Sequence, residues 1–321
     1  MDAILVEDLV RRFKAVEAVK GVSFAVAEGE VFGFLGPNGA GKTTTINMLC
    51  TLLRPTSGSA RVNGFDVATQ TSDVRRSIGL VFQDTTLDDY LSAEQNLRFH
   101  AQAYAVPREV FEPRMEGLLK LLDLWDRRKE TTRNYSGGMK RRLEIARGLL
   151  HHPKVLFLDE PSIGLDPQTR RHIWEHLQDL RQREKLTIFL TTHYMDEAEY
   201  CDRIAIMDHG SIVALDTPEN LKSGVGGDVI TLKAEDNAAL VRELKEAHGV
   251  DARLENGEVS FTIAGGKAWL PKFVREASQS LTSLGLRGPT LDDVFLKITG
   301  RAIREQGADQ FEGIRRMRRR R

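Results

Sequence analysis

The chain has 321 residues, of which 41% are hydrophobic and 29% charged, and its basic and acidic side chains are equal in number. This composition is typical of soluble globular proteins, and the length suggests about two domains. The zero net charge excludes a global electrostatic preference for nucleic acid or membrane. Two distant cysteines, Cys50 and Cys201, exclude a disulfide framework, and no apolar run approaches the roughly 20 residues that span a bilayer.

Residues 1–223 alternate strand-like and helix-like segments, which predicts an α/β domain with a mostly parallel sheet and crossover helices. Strands are predicted at 4–10, 22–26, 31–35, 78–82, 155–158 and 187–190, with a closing hairpin at 204–207 and 211–215. Helices are predicted at 43–53 and 168–184. Between 91 and 124 the leucine spacing changes to a helical period, so a helical subdomain of about 84–150 is expected as an insertion.

Three glycines, Gly224, Gly226 and Gly227, mark a linker to a second domain at 228–300. Its predicted elements are a strand at 229–232, a helix at 238–248, a hairpin of 252–254 and 259–263, and a helix at 269–284. This order suggests a small α+β domain of the ferredoxin-like type. A basic tail at 301–321 follows, and six of its last seven residues are arginines.

A glycine-rich segment lies between the predicted strand at 31–35 and the helix that follows it. It reads Gly36, Pro37, Asn38, Gly39, Ala40, Gly41, Lys42 and Thr43, with Thr44 next in the helix. Glycines let successive backbone N–H groups turn toward phosphate oxygens, and the helix N-terminus faces the same anion. Lys42 would contact the β- and γ-phosphates, and Thr43 would ligate Mg²⁺. The segment predicts a P-loop, which kinases, GTPases and motor ATPases share.

Two further segments add chemistry to this loop. The apolar strand at 155–158 ends in Asp159 and Glu160, at the edge where α/β sheets place their chemistry. Asp159 would hold Mg²⁺, and Glu160 would orient the attacking water or accept its proton. Ser136, Gly137 and Gly138 precede a helix and indicate a second phosphate-binding helix N-terminus. Alone, a Ser-Gly-Gly turn or an acidic pair that begins a loop indicates little.

The ordered set of these segments resembles the ATP-binding cassette (ABC) family over nearly the whole chain. After the P-loop come Gln83, the Ser136 segment, Asp159 and Glu160, then Gly164, Leu165 and Asp166, and finally His193. The resemblance implies that Gln83 senses Mg²⁺ and water and that His193 contacts the γ-phosphate. It also implies that Asp166 communicates between two sites and that Phe13 stacks on adenine.

The Ser-Gly-Gly segment departs from the family pattern at its flanks. Tyr135 stands where Leu is commonest, and Met139 stands where Gln is commonest. Neither change removes the serine hydroxyl or the glycine N–H groups, so ATP binding is expected to survive. The family likeness further implies a homodimer, in which each ATP lies between Lys42 of one copy and Ser136 of the other.

The likeness becomes more specific at two places. Residues 86–97 and 289–300 resemble the daunorubicin-resistance type of drug-export ATPase. This implies an ATP-hydrolysing subunit, using ATP and Mg²⁺, that drives efflux of a drug or other amphipathic compound through a separate multi-span permease. Such a subunit would be a peripheral protein at the cytoplasmic face of the cell membrane.

The alternative is a soluble ABC ATPase that acts on ribosomes or nucleic acid. Those proteins usually carry two cassettes in one chain or long coiled-coil insertions, and neither is visible in this sequence. The basic tail keeps the alternative open, because arginines bind nucleic acid. They equally bind anionic lipid, or form a solvated tail with no specific function. Nucleic acid is therefore the less favoured partner.

Overall fold

The computed structural model describes residues 1–255 and 257–300, so the predicted basic tail at 301–321 lies outside the described residues. The chain forms two compact units, the first spanning Met1–Leu215 and the second beginning at Asp216. Within the described residues, no helix combines the length and apolar character needed to cross a bilayer. Cys50 and Cys201 are both buried and free, and burial raises the pKa of each thiol.

The first unit alternates strands and helices as the sequence predicts. Its strands are β1 (Asp2–Phe13), β2 (Val16–Ala27), β3 (Val31–Leu35), β4 (Ser57–Val62), β5 (Phe65–Asp66), β6 (Ile78–Val81), β7 (Val155–Asp159), β8 (Thr187–Thr192), β9 (Arg203–Asp208) and β10 (Ser211–Asp216). Its helices are α1 (Lys42–Leu49), α2 (Thr71–Ser77), α3 (Ala93–Ala103), α4 (Arg108–Leu121), α5 (Gly137–Leu149), α6 (Pro167–Glu184) and α7 (Met195–Ala198).

A six-stranded sheet positions the loops that carry chemistry. Its order is β10-β9-β3-β8-β7-β6, and β3 pairs in parallel with both β8 and β9. β7 likewise pairs in parallel with β6 and β8. β3, β7 and β8 are buried along their whole length, as expected for central parallel strands. Their carboxyl ends therefore deliver residues 36, 160 and 193 to one edge of the sheet.

A second sheet, of order β2-β1-β4-β5, packs its apolar side into the same core. Aromatic rings fill the space between the sheets: the Phe24 and Phe34 centroids lie 5.0 Å apart, as do those of Phe34 and Phe189. Burying each such ring stabilises the fold by about 1.5–3 kcal/mol. This core gives the strand ends a rigid base.

The helical insertion carries α3, α4 and α5, inside the predicted 84–150. α3 begins with a capping box in which Ser92 and Gln95 satisfy each other's backbone N–H groups. α5 begins directly after Ser136, whose Oγ accepts from the Met139 N–H at 3.3 Å. Ser136 thus caps the helix that the sequence predicts at this position.

The second unit contains β11 (Asp228–Ala234), α9 (Asn237–His248), β12 (Arg253–Glu255), β13 (Glu258–Ile263), α10 (Gly266–Glu276) and β14 (Leu281–Arg287), flanked by α8 (Pro218–Ser223) and α11 (Leu291–Thr299). The sheet order is β12-β13-β11-β14, with β11 antiparallel to β13 and β14. A β-α-β-β-α-β order is that of the ferredoxin-like arrangement. The predicted boundary was residue 223, whereas this unit includes α8, which packs against α11.

The predicted helix at 269–284 is wrong in its second half. α10 ends at Glu276, and the chain then forms β14, in which Leu284 pairs with Leu232 and Leu286 with Ile230. Residues 281–287 instead form ladder hydrogen bonds with β11, and no local sequence pattern indicates this pairing. Tertiary pairing therefore outweighs the helical spacing of the leucines.

Candidate active site

The phosphate loop, residues 36–43, joins β3 to α1 through positions where only glycine fits. A Cβ at Gly36 would lie 2.2 Å from the carbonyl oxygen of Met207. Gly41 has φ +106°, and a Cβ there would lie 2.6 Å from the Ala18 carbonyl oxygen. The loop is therefore pressed against neighbouring backbone, in a conformation that other residues rarely adopt.

The N-terminus of α1 is open toward this loop. Gly41 occupies the N-cap, no described side chain caps it, and the first turn holds no acidic residue. Its first N–H groups therefore suit an anion. Lys42 Nζ donates to the carbonyl oxygens of Gly36 at 2.7 Å and Pro37 at 3.1 Å. Burial lowers the pKa of Lys42, against the attraction of Glu160.

Oxygen atoms converge at the end of β7. Asp159 Oδ1 accepts from Thr43 Oγ1 at 3.1 Å and from Thr191 Oγ1 at 2.5 Å. Burial raises the pKa of Asp159, although both hydroxyl groups favour its ionised form. Among the residues described, no group of three or more His, Cys, Asp or Glu side chains could hold a metal by itself. This donor set fits Mg²⁺, which takes one or two carboxylates and completes its shell with phosphate and water.

Glu160 follows Asp159 with φ 47°, a left-handed conformation that costs a non-glycine residue about 1–3 kcal/mol. Its N–H donates to Thr191 O at 3.2 Å and to Thr191 Oγ1 at 3.1 Å. Its Oε1 lies 3.5 Å from Lys42 Nζ and 3.4 Å from His193 Nδ1. Burial alone would raise the pKa of Glu160, but His193 and the charge of Lys42 hold that pKa below its ordinary value. The carboxylate is therefore ionised at neutral pH.

A cavity of about 470 Å³ brings together half of the predicted site residues. It is lined by Phe13, Ala18, Asn38, Gly39, Gly41, Lys42, Thr43, Thr44, Gln83 and Glu160. The Phe13 side chain is 41% exposed, and the Arg11 guanidinium lies 4.5 Å from its ring centroid. An exposed aromatic ring, a phosphate loop and an ionised carboxylate thus face one space.

This cavity is not lined by Ser136, Gly137 or Gly138, nor by Asp166. Asp166 caps α6 by accepting from the Thr169 N–H at 2.9 Å. A Cβ on Gly138 would lie 2.4 Å from Thr169 Cγ2, so the N-termini of α5 and α6 approach each other closely. Ser136, Gly137, Gly138 and Asp166 therefore form a second cluster, built on two capped helix ends.

The other predicted loop residues shape the backbone. The Ala40 N–H donates to the Pro37 carbonyl oxygen at 3.2 Å, and the Ala40 side chain is buried. Thr191 was not predicted as a site residue, although it bonds both the Asp159 side chain and the Glu160 N–H. The sequence carries one signal for it: two threonines end a buried strand just before His193.

Comparison with known proteins identifies relatives of this chain. The ABC transporter family model matches residues 19–163. The linearmycin resistance ATP-binding protein LnrL of Bacillus subtilis is 36% identical, and the alignment covers 93% of this chain and 99% of LnrL. The daunorubicin resistance ATP-binding protein DrrA2 of Streptomyces coeruleorubidus is 38% identical, covering 93% of this chain and 95% of DrrA2. A dimeric ATP-binding cassette solved in a post-hydrolysis state with ADP and Pi is 26% identical with TM-score 0.61, covering 67% of this chain and 98% of the cassette.

Proposed function

The chain belongs to the ATP-binding proteins of ABC transporters and hydrolyses ATP, and from that premise we propose that it drives the efflux of a drug or another amphipathic compound through a separate membrane permease. The observation that carries the proposal is the extent of the likeness. LnrL and DrrA2, both named for drug resistance, align with 93% of the chain, which includes residues of the second unit. The likeness therefore extends beyond the cassette that all ABC proteins share.

In this proposal the phosphate loop binds the triphosphate. The loop N–H groups and the α1 N-terminus receive the phosphate oxygens, and Lys42 exchanges its contacts with Gly36 and Pro37 for the β- and γ-phosphates. Phe13 stacks on the adenine ring, because its exposed face borders the same cavity. Binding thus replaces contacts within the protein by charge-assisted hydrogen bonds.

Three residues would hold Mg²⁺: Thr43 and Asp159, which already bond each other, and Gln83, which lines the same cavity. When bound, the ion neutralises charge that develops on the phosphate oxygens. Thr191 orients the Asp159 carboxylate through its hydroxyl. These side chains therefore keep oxygen ligands ready before nucleotide arrives.

Glu160 is proposed as the base that orients water and accepts its proton. It is ionised and buried at the mouth of the phosphate loop, where it pairs with Lys42 and His193. His193 holds the Glu160 carboxylate and contacts the γ-phosphate, and Gln83 positions the attacking water. Because Lys42 turns to the phosphate on binding, Glu160 loses that partner and becomes free for the water.

A second copy of the chain would complete the site. The cavity is open, while the Ser136 and Asp166 cluster presents two helix N-termini elsewhere on the same unit. A copy packed head to tail would place Ser136, Gly137 and Gly138 on the bound phosphates and exclude water. ATP then holds the dimer together, and hydrolysis releases it. The dimeric cassette named above supports this arrangement.

The membrane partner would be a multi-span permease, with this chain peripheral at the cytoplasmic face. In this proposal the transported compound passes through that partner, and no helix within the described residues could itself span a bilayer. The proposed function includes no nucleic-acid partner. The arginine-rich tail at 301–321, on which the nucleic-acid alternative depended, lies outside the described residues.

Substitution of Glu160 by Gln tests the catalytic assignment. The variant should bind ATP with wild-type affinity and hydrolyse it roughly 10²–10⁴-fold more slowly, because a general base contributes about that factor. An ATP-bound dimer should accumulate, and size-exclusion chromatography with and without ATP measures it.

Glu116→Gln is the matched control, because Glu116 lies on α4 with its side chain 46% exposed, where it pairs with Lys120 one turn further along the helix. It should leave turnover unchanged. Wild-type turnover in Glu160→Gln would remove Glu160 from the catalytic role.

Export is tested by coexpression with a candidate multi-span permease. The chain should sediment with membranes only when the permease is present, and the pair should lower cellular accumulation of a fluorescent amphipathic drug. The Glu160→Gln variant should sediment equally and fail to lower accumulation. Equal drug accumulation with wild-type and variant chains would argue against efflux as the task.

A further inference from the structure

Arg141 is buried on α5, yet its guanidinium bonds the backbone around the catalytic carboxylates. The side chain is 6% exposed. Nη2 donates to the carbonyl oxygens of Asp159 at 3.1 Å and Glu160 at 3.2 Å, and Nε donates to Pro161 O. Nη1 donates to Phe82 O, immediately before Gln83 in the chain. One side chain therefore holds the backbone beside both Glu160 and Gln83.

Two further residues of α5, Glu144 and Arg147, bind the other end of the loop that carries Gln83. Glu144, which is fully buried, accepts from the Thr86 N–H at 2.7 Å and from Arg141 Nη1 at 3.2 Å. Arg147 Nη1 donates to Thr86 O at 3.0 Å. These three charged residues follow one another at spacings of three along one helix face. The loop is thus held at both ends by α5.

We infer that Arg141 is a positioning residue that couples two ATP sites. Its hydrogen bonds to backbone carbonyl oxygens fix the positions of Gln83 and Glu160 in its own site. Arg141 lies on α5, the helix whose first residues follow Ser136. In the proposed dimer Ser136 serves the other ATP, so movement of α5 at that site would reach Glu160 at this one. The left-handed backbone of Glu160 needs such support, because a strained conformation persists only when its surroundings over-determine it. This inference rests on the proposed function.

Arg141→Gln removes the fork of donors while keeping one amide. We expect kcat for ATP hydrolysis to fall on the order of 100-fold, as a misplacement of about 1 Å can produce. KM for ATP should stay near the wild-type value, because the Lys42 side of the site is untouched. Arg141→Lys keeps the positive charge beside Glu144, so it guards against loss of folding and should show a smaller fall.

Arg142→Gln is the matched control. Arg142 lies next on α5, and its Nη1 donates to a backbone carbonyl too, that of Leu122 at 2.8 Å. That bond leads away from the catalytic loops, so kcat should remain unchanged. Circular dichroism and thermal melts verify folding of each variant. If a folded Arg141→Lys or Arg141→Gln turned over at the wild-type rate, or if Arg142→Gln were equally slow, the inference would be overturned.

Mixed dimers separate coupling from a purely local effect. One subunit carries Lys42→Ala, so a single live site remains, made from the loop of its partner and the Ser136 segment of the Lys42→Ala subunit. Arg141→Gln is placed in either subunit. Coupling predicts that the live site slows in both arrangements. Slowing in only one of them would overturn the coupling.

The Glu160→Gln dimer assay distinguishes the two levels of failure. If that variant formed no ATP-dependent dimer, the proposed shared-site function would fall, and the inference with it. A stable ATP-dependent dimer together with a fully active Arg141→Gln would overturn only the role of Arg141.

Discussion

Glu160 shows how much of this site depends on the surroundings of single residues. Its backbone is left-handed, its N–H is held by Thr191, and its carboxylate lies between Lys42 and His193. The hydrogen bond from His193 and the charge of Lys42 outweigh burial, so the pKa of Glu160 falls below its ordinary value. Asp159, its neighbour in sequence, has its pKa raised by burial. The surroundings thus shift the pKa values of two carboxyl groups adjacent in sequence in opposite directions.

A half-buried histidine outside the site, His100, makes stability depend on pH. Burial, with the charges of Arg147 and His151, lowers the pKa of His100 from 6.5 to about 4. At pH 5 the His100 side chain is therefore mostly protonated in the unfolded chain and mostly neutral in the folded chain. The free energy of unfolding should fall as pH drops below about 6.5, by about 2 kcal/mol at pH 5 from this group.

His100→Gln should remove this part of the pH dependence. Thermal melts at pH 7 and pH 5 measure it: the loss of Tm between them should be smaller in the variant than in wild type. His172→Gln, at an exposed position on α6, is the control and should keep the wild-type loss. An unchanged pH dependence in His100→Gln would contradict the assignment.

At the scale of elements, the phosphate loop works because it is pressed between a buried strand and the backbone near Met207. Gly36→Ala would place a methyl group 2.2 Å from the Met207 carbonyl oxygen, so the loop must shift. We expect a loss of about 1–3 kcal/mol in the free energy of unfolding, the usual cost of overpacking. ATP affinity should fall as well, because the loop N–H groups lose their alignment. Urea unfolding and nucleotide titration measure the two effects.

Gly117→Ala is the control for that experiment. Gly117 lies within α4, and a Cβ there meets no atom within 4 Å. The substitution should raise the free energy of unfolding by roughly 0.5–1 kcal/mol, since alanine favours the helix. Its ATP affinity should equal that of wild type. If Gly36→Ala behaved like Gly117→Ala, close packing of the loop would not be its constraint.

At the scale of the whole molecule, the open cavity and the separate Ser136 cluster predict complementation between copies. Ser136→Arg should spoil the site of its partner while leaving its own Lys42 intact, and Lys42→Ala should do the reverse. Each variant alone should be inactive. An equal mixture should recover at most about a quarter of wild-type turnover, since half of the dimers are mixed and each has one intact site.

Phosphate release measures that recovery, with each variant mixed with itself as the control. Two working sites in a mixed dimer, or turnover unchanged by mixing, would be incompatible with a shared site. Wild-type turnover of Ser136→Arg alone would show that Ser136 takes no part in hydrolysis at either site.

The amino-acid sequence by itself determined the parts of the machine that local chemistry specifies. Glycines at 36 and 41, a carboxylate pair ending an apolar strand, and Ser136 before a helix are each written in a few consecutive residues, so they could be predicted. Only the tertiary structure decided what depends on distant backbone. Pairing with β11 turned residues 281–287 into a strand, and the Arg141 carbonyl contacts join residues far apart in the chain. Long-range hydrogen bonds leave no periodic trace in sequence, which is why those features remained invisible there.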